Sequence, residues 1–153
     1  MTIIEGLMAE HRVFLGLFSQ IEAALPQVNT TEEIGLLCRL LEGMLHTHGS
    51  EEIDLAYIAV DHILNDQGRL NRLYHDHHEL DENLRELAKV RDLPKARAQL
   101  KTILNACRAH FDEEERTLFP LIEEALQHET LEVLGRARKS RPCWPQLPVT
   151  RAS

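Results

Sequence analysis

The chain has few of the residues that define several protein classes. Its 153 residues include three cysteines, Cys38, Cys107 and Cys143, which are widely spaced and form no Cys-x-x-Cys pair. A disulfide framework and a thiolate metal site are therefore not expected. The chain also lacks an apolar run of about 18 residues and the charged and apolar regions of a signal peptide. We therefore expect a cytoplasmic protein with no membrane partner.

Aromatic residues and β-branched residues are also scarce. Aromatic residues make up 5% of the chain, and Val and Ile are sparse beside Leu, Ala, Glu and Arg. This composition favours helix over sheet. The formal net charge of −8 argues against a nucleic-acid partner. The length indicates one domain with a core of its own.

Histidine, in contrast, is abundant, with nine residues that are clustered in the chain. The stretch from 109 to 120 has a near-copy 62 residues upstream, in which His110 corresponds to His48, Glu114 to Glu52 and Phe119 to Tyr57. Both copies contain His-x-x-x-Glu. Residues four apart on an α-helix lie about 40° apart around the axis, so each pair offers an imidazole and a carboxylate to one point in space.

Hydrophobic periodicity predicts an all-α fold, an up-down-up-down four-helix bundle with a short C-terminal helix and an irregular tail. The helices are expected at 2–25, from Thr30 to about 60–64, at 67–90 and at 94–126. The short helix is expected at 130–139. We expect one domain over 1–128, followed by the short helix and a proline-rich tail over 129–153.

Local signals predict how these helices begin and bend. Thr2 is a candidate N-cap, and Thr30 with Glu33 forms a capping-box signature. Thr130 is the expected cap of the short helix. Pro120 is expected to kink the fourth helix or to divide it. Within that helix the periodicity also places Thr117 and Leu121 on the inward face, and Glu113 and Glu115 toward solvent.

Six polar residues lie on the apolar faces of these helices, at His11, His48, Glu52, His77, His110 and Glu114. With a rise of 1.5 Å per residue, they fall within about two turns of the same height in an antiparallel bundle. Burying four imidazoles and two carboxylates is costly unless a metal coordinates them. The pattern therefore predicts a dinuclear site in which Glu52 and Glu114 bridge two metals, each held by two histidines.

This set of ligands also indicates the chemistry of the site. Imidazole and carboxylate ligands with open coordination positions suit iron or manganese and could accept zinc. An open, redox-capable metal pair in an apolar sheath is suited to binding a diatomic molecule such as dioxygen or nitric oxide. Solvent or a small ligand would complete the coordination.

The order His, His-x-x-x-Glu, His, His-x-x-x-Glu, with the Leu-Phe-Pro continuation at 118–120, resembles the hemerythrin-like HHE cation-binding domain. The resemblance covers about residues 4–126. It implies a non-haem di-iron site with two iron ions bridged by the two glutamates. The implied ligands are His11, His48, Glu52, His77, His110 and Glu114.

The remaining histidines and two other functions are weighed against this interpretation. His46, His62 and His128 are expected at the surface, and His75 or His78 is left open as a fifth histidine ligand. We interpret the chain as a binding protein that senses or scavenges oxygen, nitric oxide or iron. A di-iron enzyme acting on peroxide or nitric oxide, and a metal-free helical interaction module, remain alternatives. The oligomeric state is not predicted.

Overall fold

A computed structural model of the chain describes residues 1–61 and 67–141, with residues 67–69 described by their backbone only. The predictions for His62, for the turn at 65–66 and for the tail from residue 142 onward lie outside this part. The described residues form helices and short connections, with no β-strand among them. The predicted all-α class is therefore confirmed.

Residues 1–61 and 67–141 form seven α-helices. They are α1 (Ile3–Ala24), α2 (Thr31–Glu51), α3 (Ile58–Asp61), α4 (Gln67–Leu87), α5 (Leu93–Glu113), α6 (Phe119–Ala125) and α7 (His128–Lys139). A 3₁₀ turn (Leu25–Gln27) follows α1, with Pro26 inside it. Two π-helical segments join α2 to α3 and α5 to α6 without a loop.

The predicted caps at the starts of α1 and α2 are confirmed. The Thr2 hydroxyl accepts a hydrogen bond from the N–H of Glu5, whose carboxylate in turn accepts the N–H of Thr2. Thr30 forms the same capping box with Glu33. These pairs satisfy N–H groups that the first helical turn leaves without partners.

The cap predicted at Thr130 is wrong. Helix α7 begins at His128, and its N-cap is Gln127 in extended conformation, without a side-chain hydrogen bond. The N–H of Thr130 donates to the Gln127 carbonyl, so Thr130 lies within the first turn. The main chain of Gln127 therefore starts the helix.

The two π segments begin at the two predicted glutamate ligands. The first runs over Glu52–Tyr57 and the second over Glu114–Leu118, so they start at positions that correspond in the two copies 62 residues apart. The N–H of Ile58 donates to the carbonyl of Ile53, five residues earlier, instead of the usual four. Such π turns are frequent at functional sites.

Each π segment rotates the following residues around the helix axis. After Glu114 the buried residues are Leu118, Phe119 and Ile122, whereas Thr117 and Leu121 are only half-buried. The prediction that Thr117 and Leu121 point inward is therefore wrong, because it assumed an uninterrupted period of 3.6. The helix is divided as predicted near Pro120, which lies in the first turn of α6. A proline at that position requires no N–H donor.

The core has two apolar parts, which we call core A and core B. Core A is built around Phe14, Leu45, Leu80 and Phe111, and core B around Leu7, Leu55, Leu73 and Leu118. Helices α1 and α4 pass from core B to core A along the chain, whereas α2 and α5 lie in core A and the segments that continue them, from Glu52 and from Glu114 onward, lie in core B. The donor groups of all six predicted ligands lie close together between the two cores.

Helix α7 packs against the start of α1. A Cβ added at Gly135 would lie 2.5 Å from the main-chain oxygen of Met1, so the two backbones approach closely and only glycine fits there. The boundary expected at residue 128 stays a prediction. In the described ranges, no helix is long and apolar enough to cross a membrane.

Candidate metal site

The six predicted ligands form a polar layer between core A and core B. Five of them are buried, and His77 is only slightly more exposed. Glu52 and Glu114 are fully buried, as is His11. His77 has 15% of its side chain exposed, the largest value in the set. The imidazole and carboxylate of each His-x-x-x-Glu pair converge as predicted, because both residues lie on one face of a helix.

The first half-site consists of His11 and His48 with one oxygen from each glutamate. The Nε2 atoms of the two histidines lie 3.0 Å apart. Oε1 of Glu52 lies 3.2 Å from His11 Nε2 and 3.1 Å from His48 Nε2. Oε2 of Glu114 lies 3.5 Å from His11 Nε2.

The second half-site consists of His77 and His110 with the other oxygen of each glutamate. Their Nε2 atoms lie 3.2 Å apart. Oε2 of Glu52 lies 3.4 Å from His77 Nε2. Oε1 of Glu114 lies 3.4 Å from His110 Nε2 and 3.9 Å from His77 Nε2. Each carboxylate therefore presents one oxygen to each half-site.

These distances suit donors that surround a common cation. Donors about 2.1 Å from one ion and roughly at right angles lie about 3 Å apart. In two overlapping groups, His11/His48/Glu52 and Glu52/His77/His110/Glu114, the donor atoms lie within 4.8 Å of one another. Glu52 Oε2 and Glu114 Oε2 are also buried without a hydrogen-bond partner among the described residues. Buried oxygens without a donor are rare, and a cation would satisfy both.

The electrostatics of the metal-free site separate the two carboxylates. Burial acts to raise the pKa of Glu52, but His48, His11 and His77 hold it well below the ordinary value. Burial and the negative charge of Glu52 raise the pKa of Glu114 well above it. Two carboxylates in one buried site cannot both be charged at low cost, so Glu114 binds a proton more readily than Glu52 does.

The histidines divide in a similar way. Burial acts to lower the pKa of His48, but the charge of Glu52 and the hydrogen bond with Glu10 raise it to about 10. Burial lowers the pKa of His77 and of His110 to about 4. Without a metal, His48 is therefore protonated at neutral pH, and of the two glutamates Glu114 binds a proton more readily; a cation would compete with these protons.

Carboxylates behind the histidines form an outer ring that the sequence analysis did not identify. His48 Nδ1 lies 2.8 Å from Glu10, and His11 Nδ1 lies 2.9 Å from Glu115. His110 Nδ1 lies 3.6 Å from Asp76, which is beyond hydrogen-bond distance. A carboxylate on Nδ1 fixes the proton there and leaves Nε2 free for a metal. The expectation that Glu115 points to solvent is therefore wrong.

Tyr57 also lies at the site, next to two predicted ligands, which the sequence did not lead us to expect. Its buried hydroxyl donates a hydrogen bond to Glu114 and lies 3.2 Å from His77 Nε2. The equivalent residue of the second repeat is Phe119, whose ring is stacked near His11 at 5.6 Å. The 62-residue alignment contained this signal, since it paired a tyrosine with a phenylalanine one turn after the glutamate.

The other described histidines lie away from the polar layer. His46 is exposed and hydrogen-bonded to Asp81, as predicted. His75 and His78 are exposed and pair with Glu79 and Glu82 on their own helix, so neither joins the site. His128 is also exposed, as predicted.

Cys107 lies fully buried in core A with a free thiol. Burial raises its pKa to about 12. It therefore behaves as a small core residue.

Comparison with known proteins identifies the family. The model of the hemerythrin HHE cation-binding domain matches residues 2–122, which include all six predicted ligands and the four helices that carry them. No curated protein and no solved structure gives a significant match to the chain. The chain belongs to the hemerythrin HHE cation-binding domain family.

Proposed function

We propose that this protein is a non-haem di-iron protein that binds oxygen or nitric oxide, as a sensor or scavenger. His11 and His48 would hold one iron and His77 and His110 the other, with Glu52 and Glu114 bridging them. The single observation that carries this proposal is the division of each carboxylate between the two half-sites. One oxygen of each glutamate faces one histidine pair and the other oxygen faces the second pair.

The alternating passage of the helices between core A and core B supports the up-down-up-down four-helix arrangement proposed for this site. Four antiparallel helices bring one histidine each to the same level, as in other bundles with metal sites in their cores. The metal-free interaction module is disfavoured, because it would leave the buried oxygens of Glu52 and Glu114 without partners.

The protein supplies six nitrogen and oxygen ligand groups, fewer than two octahedral ions require. Two irons with open positions would supply redox chemistry and affinity for a diatomic ligand. A surface cavity of about 180 Å³, lined in part by Gly49, Tyr74 and His77, adjoins the second half-site. We propose that a small ligand enters there, since His77 is the most exposed of the six residues.

The test is to load the purified protein with Fe(II) without oxygen and to record absorption spectra before and after adding oxygen or nitric oxide. The proposal expects charge-transfer bands that differ between the two gases and disappear in Glu114→Ala. Iron binding without any spectral response to either gas would limit the function to iron storage. Absence of iron binding would contradict the proposal.

A further inference from the structure

Arg138 of α7 is much more buried than its neighbour Arg136 on the same helix. Its side chain is 12% exposed, compared with 67% for Arg136. It lies outside residues 2–122, to which the family model corresponds. Its guanidinium forms ion pairs with Glu10 and with Glu51, the latter at 2.6 Å. Both partners are adjacent in sequence to predicted ligands.

Glu10 connects this arginine to the metal site. One of its oxygens pairs with Arg138, and the other accepts the Nδ1–H of His48 at 2.8 Å. Because Nδ1 keeps its proton in that bond, Nε2 is the nitrogen of His48 that faces the first half-site and would bind a metal after losing its own proton. A continuous series of contacts therefore runs from α7 through Glu10 to a predicted ligand.

The close contact of α7 with α1 holds Arg138 in this position. Gly135 lets the α7 backbone approach Met1 and Thr2, and a Cβ at Gly6 would lie 2.9 Å from the Arg138 guanidinium. Two glycines thus leave the space that the helix and its arginine occupy.

We propose that Arg138 is a positioning residue for His48, and that α7 contributes to the metal site by holding Arg138 in place. Glu10 is 39% exposed and lies at a surface groove of about 400 Å³ that His48 and Arg138 also line. Without Arg138 the carboxylate is free to turn toward water, and the His48 ring loses the anchor on Nδ1. Glu115, the partner of His11, forms no ion pair with an arginine or lysine among the described residues, so this support is specific to His48.

The inference rests on the proposed metal site, and the test separates the two. Co(II) is a suitable probe, because its visible absorption reports the ligands around each ion. We expect Arg138→Met to retain two Co(II) sites but to bind Co(II) about tenfold more weakly at the first half-site, with a changed spectrum for that ion. Tenfold is the lower end of the range found when a group that orients a metal ligand is removed. Arg136→Met is the matched control on the same helix and should behave as wild type.

A double-mutant cycle tests the route through Glu10. If Arg138 acts through this carboxylate, Arg138→Met should cause no further loss of affinity in a Glu10→Ala background. Equal affinities and spectra for Arg138→Met and Arg136→Met would overturn the inference, as would additive effects of Arg138→Met and Glu10→Ala. Failure of wild type to bind Co(II) would instead overturn the proposed function.

Circular dichroism of the metal-free variants guards against a simple folding defect. If Arg138→Met loses helix content, Arg138→Lys replaces it, because lysine keeps the charge but cannot pair with two carboxylates in the fixed geometry of a guanidinium. A folded Arg138→Lys variant should show a smaller loss at the same ion. A folded variant with wild-type affinity and spectrum would contradict the role of Arg138.

Discussion

The two half-sites arise from equivalent positions of a repeat but have different surroundings. His11 and His48 are held from behind by Glu115 and Glu10, and Phe111 stacks on the His11 ring at 4.0 Å. Within the described part of the chain His110 Nδ1 has no hydrogen-bond partner, and His77 is the most exposed of the six residues. Both histidines of the first half-site are thus held by a carboxylate, whereas the histidines of the second lack such a bond at His110 and are more exposed at His77.

This difference assigns two requirements of a binding site, affinity for the metal and access for a ligand, to different half-sites. Ligands that are held in place before the metal arrives lose less conformational freedom on binding, which favours affinity. A looser and more open half-site leaves room for an incoming molecule. Tyr57 places a hydroxyl group beside the second half-site. The equivalent residue beside the first half-site is Phe119, which has no hydroxyl group.

We expect the largest effect from Glu114→Ala, which should prevent metal binding at both half-sites. Glu114→Ala removes an oxygen from each, so we expect loss of both metals, measured as metal content per chain. His46→Ala, which changes an exposed histidine outside the site, is the control and should keep both. The metal-free Glu114→Ala protein should remain folded, because the variant removes a buried carboxyl group that lacks a full set of partners. Full occupancy in Glu114→Ala would contradict the bridging role.

Gly49→Ala should eliminate only the second half-site. A Cβ at Gly49 would lie 2.5 Å from Nδ1 of His77, so the ring has to move away from its present position. We expect one metal per chain instead of two, by titration with metal content as the readout. Gly16→Ala is the matched control, since a Cβ there meets no atom within 4 Å. Two tightly bound metals in Gly49→Ala would show that His77 is not a ligand.

The pH dependence of binding should distinguish the half-sites as well. At neutral pH His48, with a pKa of about 10, is protonated, and Glu114 has a raised pKa. Metal binding must release the His48 proton, and any proton held by Glu114, so affinity rises with pH by about tenfold per unit for each proton displaced and falls in acid. His77 and His110, with pKa values near 4, are already neutral at that pH.

Competition titrations at about pH 6 and pH 8 measure this difference. The ion at the first half-site should show the steeper pH dependence, because its ligand His48 must lose a proton. Proton release can be recorded in parallel with a weakly buffered indicator. Affinities that do not change with pH would contradict the charge assignment of the metal-free site.

Tyr57→Phe should have the smallest effect in this series. It makes the two repeats alike at this position and removes the hydrogen bond from the tyrosine hydroxyl to Glu114. A hydrogen bond to a carboxyl group contributes about 1–3 kcal/mol, so a moderate loss of stability is expected in chemical denaturation. Both metals should remain bound, with a spectral change confined to the second half-site. A wild-type spectrum would exclude contact between Tyr57 and that ion.

Helical periodicity was sufficient to predict the six converging residues. The placement of His11, His48, His77 and His110 required only the helix bounds and the rise per residue. The capping boxes at Thr2 and Thr30 set two of those bounds, and both are confirmed. The repeat reinforced the prediction, since each histidine and glutamate occurs in both halves.

The π segments could not be read from the periodicity. Each adds a residue to one helical turn at a predicted glutamate ligand. The apolar residues after Glu114 are too few to show this change of helical register. For the same reason Tyr57 was not recognised as a site residue. The outer carboxylates Glu10 and Asp76 depend on the packing of different helices, which no local pattern in the sequence describes.

In the proposed site, Glu52 and Glu114 join two irons into one centre. Mössbauer spectroscopy of protein loaded with ⁵⁷Fe, combined with iron content, tests it most directly. We expect two irons per chain with magnetic exchange between them, and loss of both in Glu114→Ala. One iron per chain, or two irons that behave as isolated paramagnetic ions, would contradict it.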